Sequence, residues 1–138
     1  MKRQKVVVVD DEEDIVLYLQ TALEDAGYSP FAATSVRDGL KLIRQEKPDL
    51  VCLDILMPEE SGLSLFLELR GDPELKGIPV LIASALSVAR ELDDVDYLTL
   101  SDGTEVAEPD GYLEKPIVAE QFLAKVAALL RGDNGNDG

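Results

Sequence analysis

Residues 5–11 read Lys-Val-Val-Val-Val-Asp-Asp, an unbroken apolar run that ends in two acids. Such Val-rich runs are typical of central strands in a parallel sheet, because helices cover both faces of the strand. Two later runs have the same form: residues 50–53 lead into Asp54, and residues 111–114 lead into Lys115. If all three are parallel strands of one sheet, their polar ends meet at the edge where open α/β sheets bind ligands.

The rest of the chain alternates short strands with longer helical segments. Continuous apolar or β-branched runs predict five strands, at residues 5–9, 28–33, 50–53, 79–84 and 112–114. Apolar residues that recur every three or four positions predict helices between them. This alternation predicts an α/β fold with a doubly wound, five-stranded parallel sheet, since right-handed crossovers place helices on both faces.

Helix start and stop signals give approximate boundaries. The first helix runs from Asp14 to Ala26 before Gly27, and either Thr34 or Ser35 caps the second helix, which Pro48 ends. Ser61 is predicted to cap a third helix, and a last helix spans residues 118–131.

Composition limits the classes of function. The 138 residues carry 13 basic and 28 acidic side chains, a formal net charge of -15. This charge repels nucleic-acid phosphates and anionic lipid, so we expect no direct nucleic-acid or membrane-surface binding. No apolar stretch is long enough to span a bilayer, and we expect a cytoplasmic protein. The length fits one domain, assigned to residues 1–131, with a disordered tail at residues 132–138.

The absence of histidine excludes His-based metal sites and the Ser-His and Cys-His nucleophile systems. Cys52 is the only cysteine, so an intrachain disulfide is impossible. Its place inside an apolar run predicts a buried, inert thiol.

The acids at the predicted sheet edge favour a bound cation. Two carboxylates about 4 Å apart repel by roughly 4 kcal/mol at an effective dielectric of about 20, so Asp10, Asp11 and Asp54 cannot readily stay ionised together. Oxygen ligands with room for water suit Mg²⁺. The metal and Lys115 would neutralise a phosphoryl group while one carboxylate attacks it. We expect Asp54 to be that nucleophile, because it stands alone after the central strand, whereas Asp10 and Asp11 form a pair suited to holding metal.

These residues resemble the receiver domain of two-component response regulators. The resemblance rests on Val-Asp-Asp-Glu at 9–12, Leu-Asp-Ile-Leu-Met-Pro at 53–58, Gly62, Ser84-Ala85 and Tyr-Leu-Glu-Lys-Pro at 112–116, all in order. It covers residues 4–131. It implies a flavodoxin-like sheet of strand order 2-1-3-4-5 in a CheY-like, single-domain receiver of bacterial signalling.

The resemblance also implies how the site works. A sensor histidine kinase or a histidine phosphotransfer protein would phosphorylate Asp54 from a phosphohistidine. Mg²⁺ would be held by Asp11, Asp54 and the backbone carbonyl of Leu56, with Asp10 acting through water. Lys115 would contact the phosphoryl group and the Asp54 carboxylate. No other cofactor is implied, and the protein would catalyse only its own phosphorylation and slow dephosphorylation.

The same resemblance implies a switch that controls binding to a downstream protein. The Ser84 hydroxyl would bond a phosphoryl oxygen, and Tyr112 would turn inward when the loop bearing Ser84 moves. Without that role, the Ser84 hydroxyl would only satisfy hydrogen bonding at the end of its strand. Tyr112 would then be an ordinary half-buried aromatic residue of a strand. The peptide bond before Pro116 would be cis, which fixes the direction of Lys115.

Two features depart from the family pattern. The stretch between Ser84 and Lys115 is longer than usual, and we interpret residues 93–110 as an irregular insertion, an acidic hairpin or loop that alters partner choice. Leu56 and Leu86 are apolar where polar side chains could guide water to the acyl phosphate, which predicts slow hydrolysis.

Two other functions compete with that of a receiver. An aspartyl-phosphate hydrolase of the haloacid dehalogenase type needs a second acid two residues after its nucleophile, and Leu56 occupies that position. An interaction module of the same fold that works without phosphorylation stays the main alternative.

Overall fold

A five-stranded parallel sheet forms the centre of the computed structural model. In chain order the described strands are β1 Lys5–Val9, β2 Ser29–Ala33, β3 Leu50–Leu53, β4 Val80–Ser84, β5 Leu98–Thr99, β6 Glu105–Val106 and β7 Gly111–Glu114. The sheet order is β2-β1-β3-β4-β7, with every neighbouring pair parallel. Because β7 is the fifth strand of this sheet, the predicted order 2-1-3-4-5 and the doubly wound α/β class are confirmed.

The structure describes residues 3–54, 62–84, 98–99, 105–106 and 109–131. The predicted cap at Ser61, the carbonyl of Leu56 and the tail at 132–138 lie outside these ranges. Between β4 and β7, the short strands β5 and β6 pair antiparallel, as the two arms of a hairpin do. Most of the predicted insertion lies outside the described residues.

Within the described residues, four helices pack on the sheet: α1 Glu13–Asp25, α2 Val36–Glu46, α3 Gly62–Gly71 and α4 Ala119–Leu130. Ser35 caps α2, because its hydroxyl accepts the Asp38 N–H at 3.1 Å. Gly27 follows α1 with a φ of +94°, a left-handed conformation that glycine adopts without strain. None of the helices described has the length and apolar character that a membrane span requires.

The predicted ends of the first helix and second strand were wrong by one residue. The helix begins at Glu13, one residue earlier than predicted, and Ala26 is exposed beyond its end. Tyr28 completes the helix end and is not part of β2, since its N–H donates to the Leu23 carbonyl at 3.0 Å.

Similar shifts occur near the C-terminus. Pro79 stands just before β4, because it has no N–H to pair, although its carbonyl accepts the Val51 N–H at 3.0 Å. β7 begins at Gly111, one residue before the prediction. Val118 and Arg131 flank α4 as its cap residues and lie outside the helix itself.

Two apolar layers cover the sheet, and each layer takes alternate residues of the central strands. One layer contains Val7 and Val9 with Phe66 of α3, and the other contains Val6 and Val8 with Phe122 of α4. These valine and phenylalanine side chains are at most 1% exposed. Because helices close both faces, the ends of the strands are where polar side chains can gather.

Candidate functional site

Asp10 is the first residue after β1 and is buried, with 2% of its surface exposed. Its N–H donates to the Ala33 carbonyl at 3.1 Å, which extends the pairing of β1 with β2 by one step. Its Oδ1 atom accepts the Glu12 N–H at 3.0 Å. This side-chain-to-backbone bond over two residues is an Asx turn, and it fixes the path of the chain from β1 into α1.

Asp54 occupies the same place after β3. Its N–H donates to the Val9 carbonyl at 2.9 Å, and the register of the two strands pairs Val9 with Leu53. Asp10 and Asp54 are therefore neighbours at the edge of the sheet. Asp54 is 3% exposed, so two carboxylates are buried next to each other.

Lys115 connects these acids. It follows β7, which is separated from β3 by β4, and its long side chain spans that distance. The Nζ atom lies 2.9 Å from Asp10 Oδ2, 3.1 Å from Asp54 Oδ2 and 3.3 Å from Glu12 Oε1. The Lys115–Pro116 peptide bond is cis, as the resemblance implied. The predicted meeting of Asp10, Asp54 and Lys115 is thus present in the structure.

The close packing of these charges shifts two pKa values. Burial is the main cause that raises the pKa of Asp10, and the nearby Asp54 charge adds to it, although the Glu12 N–H and Lys115 act in the opposite direction. Burial alone would lower the pKa of Lys115, but its hydrogen bonds and attraction to Asp10 and Asp54 outweigh that effect and raise it. The ammonium therefore stays protonated and offsets part of the buried negative charge.

The oxygen atoms needed for a cation are also close together. Among the described residues, the carboxylates of Asp10, Asp11 and Glu12 place one oxygen each within 4.8 Å of one another. Among the described residues, three carboxylates contact the ammonium of Lys115, those of Asp10, Glu12 and Asp54, and Asp11 joins the group through its closeness to Asp10 and Glu12. An oxygen-only donor set with excess negative charge fits Mg²⁺, which prefers carboxylates and water.

Glu12 is a further site residue, which the pattern of strand ends does not predict. It belongs to the Val-Asp-Asp-Glu motif, contacts Lys115 and joins the carboxylate group. The signal was present in the sequence: a third acid follows the pair at the position just before a helix begins.

The residues predicted to form the switch lie near the same edge. Ser84 is the last residue of β4 and is in register with Glu114, next to Lys115. Tyr112 of β7 is half buried and packs against the apolar layer that contains Phe66. Their roles in switching stay predictions.

Cys52 is buried in β3, as predicted. Burial, together with the negative charges of Asp10 and Asp54, raises the pKa of its thiol to about 12. The thiolate, which is the reactive form, is therefore suppressed in the folded protein.

The response regulator receiver domain model matches residues 6–127. The alkaline phosphatase synthesis transcriptional regulatory protein PhoP of Bacillus subtilis is 36% identical over 128 residues, which are 93% of this chain and 49% of PhoP. The chain spans about half the length of the curated relatives it matches.

Solved structures agree with the fold. The receiver domain of the Francisella response regulator 1452 superposes with a TM-score of 0.76 at 27% identity, covering 94% of this chain and 98% of that one. A CheY-like receiver domain protein from Methanospirillum hungatei gives a TM-score of 0.77 at 21% identity, covering 99% and 100% of the two chains, and this likeness shows the fold alone.

Proposed function

The chain belongs to the response regulator receiver family, and we propose that it accepts a phosphoryl group on Asp54 from a phosphohistidine of a sensor histidine kinase or phosphotransfer protein. The observation that carries this proposal is the contact of Lys115 Nζ with Asp54 Oδ2 at 3.1 Å, made from the end of another strand. A buried carboxylate beside a fixed ammonium has a counter-charge in place where negative charge gathers during phosphoryl transfer.

Asp54 suits the role of nucleophile better than Asp10 does. Asp10 Oδ1 accepts the Glu12 N–H and so fixes the turn from β1 into α1, and its Oδ2 contacts Lys115, so this side chain already has a structural role at the site. In the transfer, an Asp54 carboxylate oxygen forms a bond to phosphorus, the bond from phosphorus to the histidine nitrogen breaks, and the imidazole leaves with the electron pair. Lys115 keeps its proton throughout.

Mg²⁺ is the cofactor we propose. Asp11 and Asp54 would bind it together with the Leu56 backbone carbonyl, while Asp10 would act through water, and the group of nearby carboxylate oxygens supports this choice of ion. When bound, Mg²⁺ would offset the negative charge of the phosphoryl group and of the carboxylates.

The surface next to the site supports a protein as the phosphodonor. Leu17, Tyr18 and Val118 are 64%, 45% and 49% exposed. Leu17 and Tyr18 lie on α1, which starts at the site, and Tyr18 Oη accepts the N–H of Ala119 at 2.9 Å, joining α1 to the start of α4. Exposed apolar side chains grouped in this way are typical of interaction surfaces. Phosphoryl transfer from a protein donor would depend on these exposed apolar side chains, whereas transfer from a small phosphodonor would not.

The phosphorylated state would act through Ser84 and Tyr112 on a downstream protein. Ser84 ends β4 beside Lys115, and the chain beyond it leads into the unusual stretch before β7. A phosphoryl group on Asp54 would attract the Ser84 hydroxyl, and Tyr112 would follow the movement. This protein-to-protein relay requires no direct contact with nucleic acid or a membrane, and we propose a cytoplasmic location.

The test is phosphorylation by acetyl phosphate with Mg²⁺, followed by intact mass. We expect the wild type to gain one phosphoryl group and Asp54→Asn to gain none. Asp38→Asn should behave as the wild type, because Asp38 is exposed and is not among the acids that contact Lys115 in the described part of the chain. A wild type that gains no phosphoryl group would contradict the proposal. Normal signalling by Asp54→Asn in cells would instead favour the phosphorylation-independent module.

A further inference from the structure

Glu12 differs from the other carboxylates on Lys115. Its side chain is 57% exposed, whereas the side chains of Asp10 and Asp54 are each 3% exposed. Its Oε1 atom lies 3.3 Å from Lys115 Nζ. Glu12 is therefore the solvent-exposed member of the three carboxylates that contact Lys115 in the described part of the chain.

The position of Glu12 before α1 points the same way. It occupies the N-cap position with an extended backbone, φ −87° and ψ 107°, but its side chain makes no cap hydrogen bond. Ser, Thr, Asp and Asn are the usual residues there, because their short side chains reach the free N–H groups of the first turn. The Glu12 side chain does not bond to those groups, and its carboxylate contacts the Lys115 ammonium instead.

We propose that Glu12 is a specificity-determining residue that selects phosphodonors by charge, an inference that rests on the proposed function. Its carboxylate repels donors that carry a large net negative charge. It attracts donors that bring positive charge beside the phosphoryl group, such as a protonated nitrogen. Because Glu12 is largely exposed, water and salt weaken its field, and the expected discrimination is about two- to fivefold.

Two small phosphodonors separate this effect from others. With acetyl phosphate, an Asp54 oxygen bonds to phosphorus, the bond from phosphorus to the acetate oxygen breaks, and acetate leaves with the electron pair. With phosphoramidate, the bond from phosphorus to nitrogen breaks and ammonia leaves. The protonated nitrogen of phosphoramidate makes its net charge less negative than that of acetyl phosphate, so Glu12 should slow acetyl phosphate more.

The experiment measures the apparent second-order rate of phosphorylation with each donor, at a Mg²⁺ concentration that saturates each variant. Glu12→Gln should raise the rate with acetyl phosphate about two- to fivefold and the rate with phosphoramidate less. Glu12→Asp keeps the charge and should retain the wild-type ratio. Glu13→Gln is the matched control, because it removes the same charge from the next, exposed position, and Glu13 is not among the acids that contact Lys115 in the described part of the chain.

Salt provides a further readout that a purely structural role would not change. The difference between the wild type and Glu12→Gln should shrink as ionic strength rises, because salt screens exposed charges. Equal changes with both donors, a salt-independent difference, or the same effect in Glu13→Gln would each overturn the role of Glu12 while Asp54 is still phosphorylated. A wild type that is not phosphorylated by either donor would overturn the proposed function and this role with it.

Discussion

The pairing of Arg70 with Asp110 gives a sharp test of how the sheet is held together. Arg70 Nη2 lies 2.8 Å from Asp110 Oδ2, and the two side chains are only 8% and 23% exposed. The same Oδ2 atom accepts the Val80 N–H at 2.8 Å. Arg70 also donates to the Ile78 carbonyl at 3.0 Å and lies over the ring of Phe66, 4.9 Å from its centre. The pair thus joins α3 to the starts of β4 and β7.

Replacing Asp110 with Ala removes a charge-assisted hydrogen bond, worth about 1.5–3 kcal/mol, and leaves the Val80 N–H without its acceptor, which costs about 1–3 kcal/mol. We therefore expect a loss of about 3 kcal/mol in the free energy of unfolding, at the low end for a broken buried ion pair. Asp110→Asn should cost less, because the amide oxygen can still accept the Val80 N–H. The whole free energy of unfolding of a typical domain is about 5–15 kcal/mol, so this loss is a large share of it.

The assay is urea unfolding followed by far-UV circular dichroism, with a double-mutant cycle of Arg70→Met and Asp110→Asn. A matched cycle uses Arg44→Met and Glu68→Gln, because that pair is 3.5 Å apart and 52% and 57% exposed. We expect a coupling energy above about 1 kcal/mol for the buried pair and below about 0.5 kcal/mol for the exposed one. Equal coupling in the two cycles would refute the reasoning.

Three further predictions follow from single residues. Leu56→Asn should accelerate loss of the phosphoryl group, measured by intact mass over time, and an unchanged half-life would mean that a polar side chain there does not guide water. Gly39→Ala should lower the free energy of unfolding by about 1 kcal/mol or more, although alanine has the better helix propensity. The new Cβ would lie 2.8 Å from Val9 Cγ2, and the valine side chain cannot easily rotate away. A variant as stable as the wild type, or more stable, would contradict this. The Cys52 thiol should resist labelling until the protein unfolds. Because folding raises its pKa from 9.0 to about 12, its contribution to the free energy of unfolding should be present below pH 9 and lost as the pH rises toward 12. The measurement is the free energy of unfolding of the wild type and of Cys52→Ala across this pH range. If the two curves run parallel, Cys52 does not contribute this pH dependence.

Much of the fold could be predicted because its signals are local. The run Val6 to Val9 is apolar on both faces, and the structure buries it as a central strand. Strand ends were less certain, because they depend on which backbone groups find partners. Tyr28 lies outside β2 because its N–H bonds to the Leu23 carbonyl. The pattern of apolar residues does not predict which carbonyl accepts that N–H.

The site could be predicted in part for a similar reason. Parallel pairing forces strand ends to one edge, so the meeting of Asp10, Asp54 and Lys115 follows from topology. The third partner of Lys115 did not follow from it. Glu12 lies beyond the strand, and its direction depends on the Asx turn at Asp10 and on the lack of a side-chain cap on α1, which become visible only with coordinates.

The same topology explains why Asp110 matters to a site at the far end of the sheet. Because β4 and β7 are parallel, the chain that leaves Ser84 at the site edge must return to the opposite edge before β7 can begin. Asp110 is the residue at that return point, where its N–H donates to the Val80 carbonyl and its carboxylate binds Arg70. Contacts with α3 and β4 therefore hold the start of β7 in register, and with it the position of Lys115 at the other end of the strand.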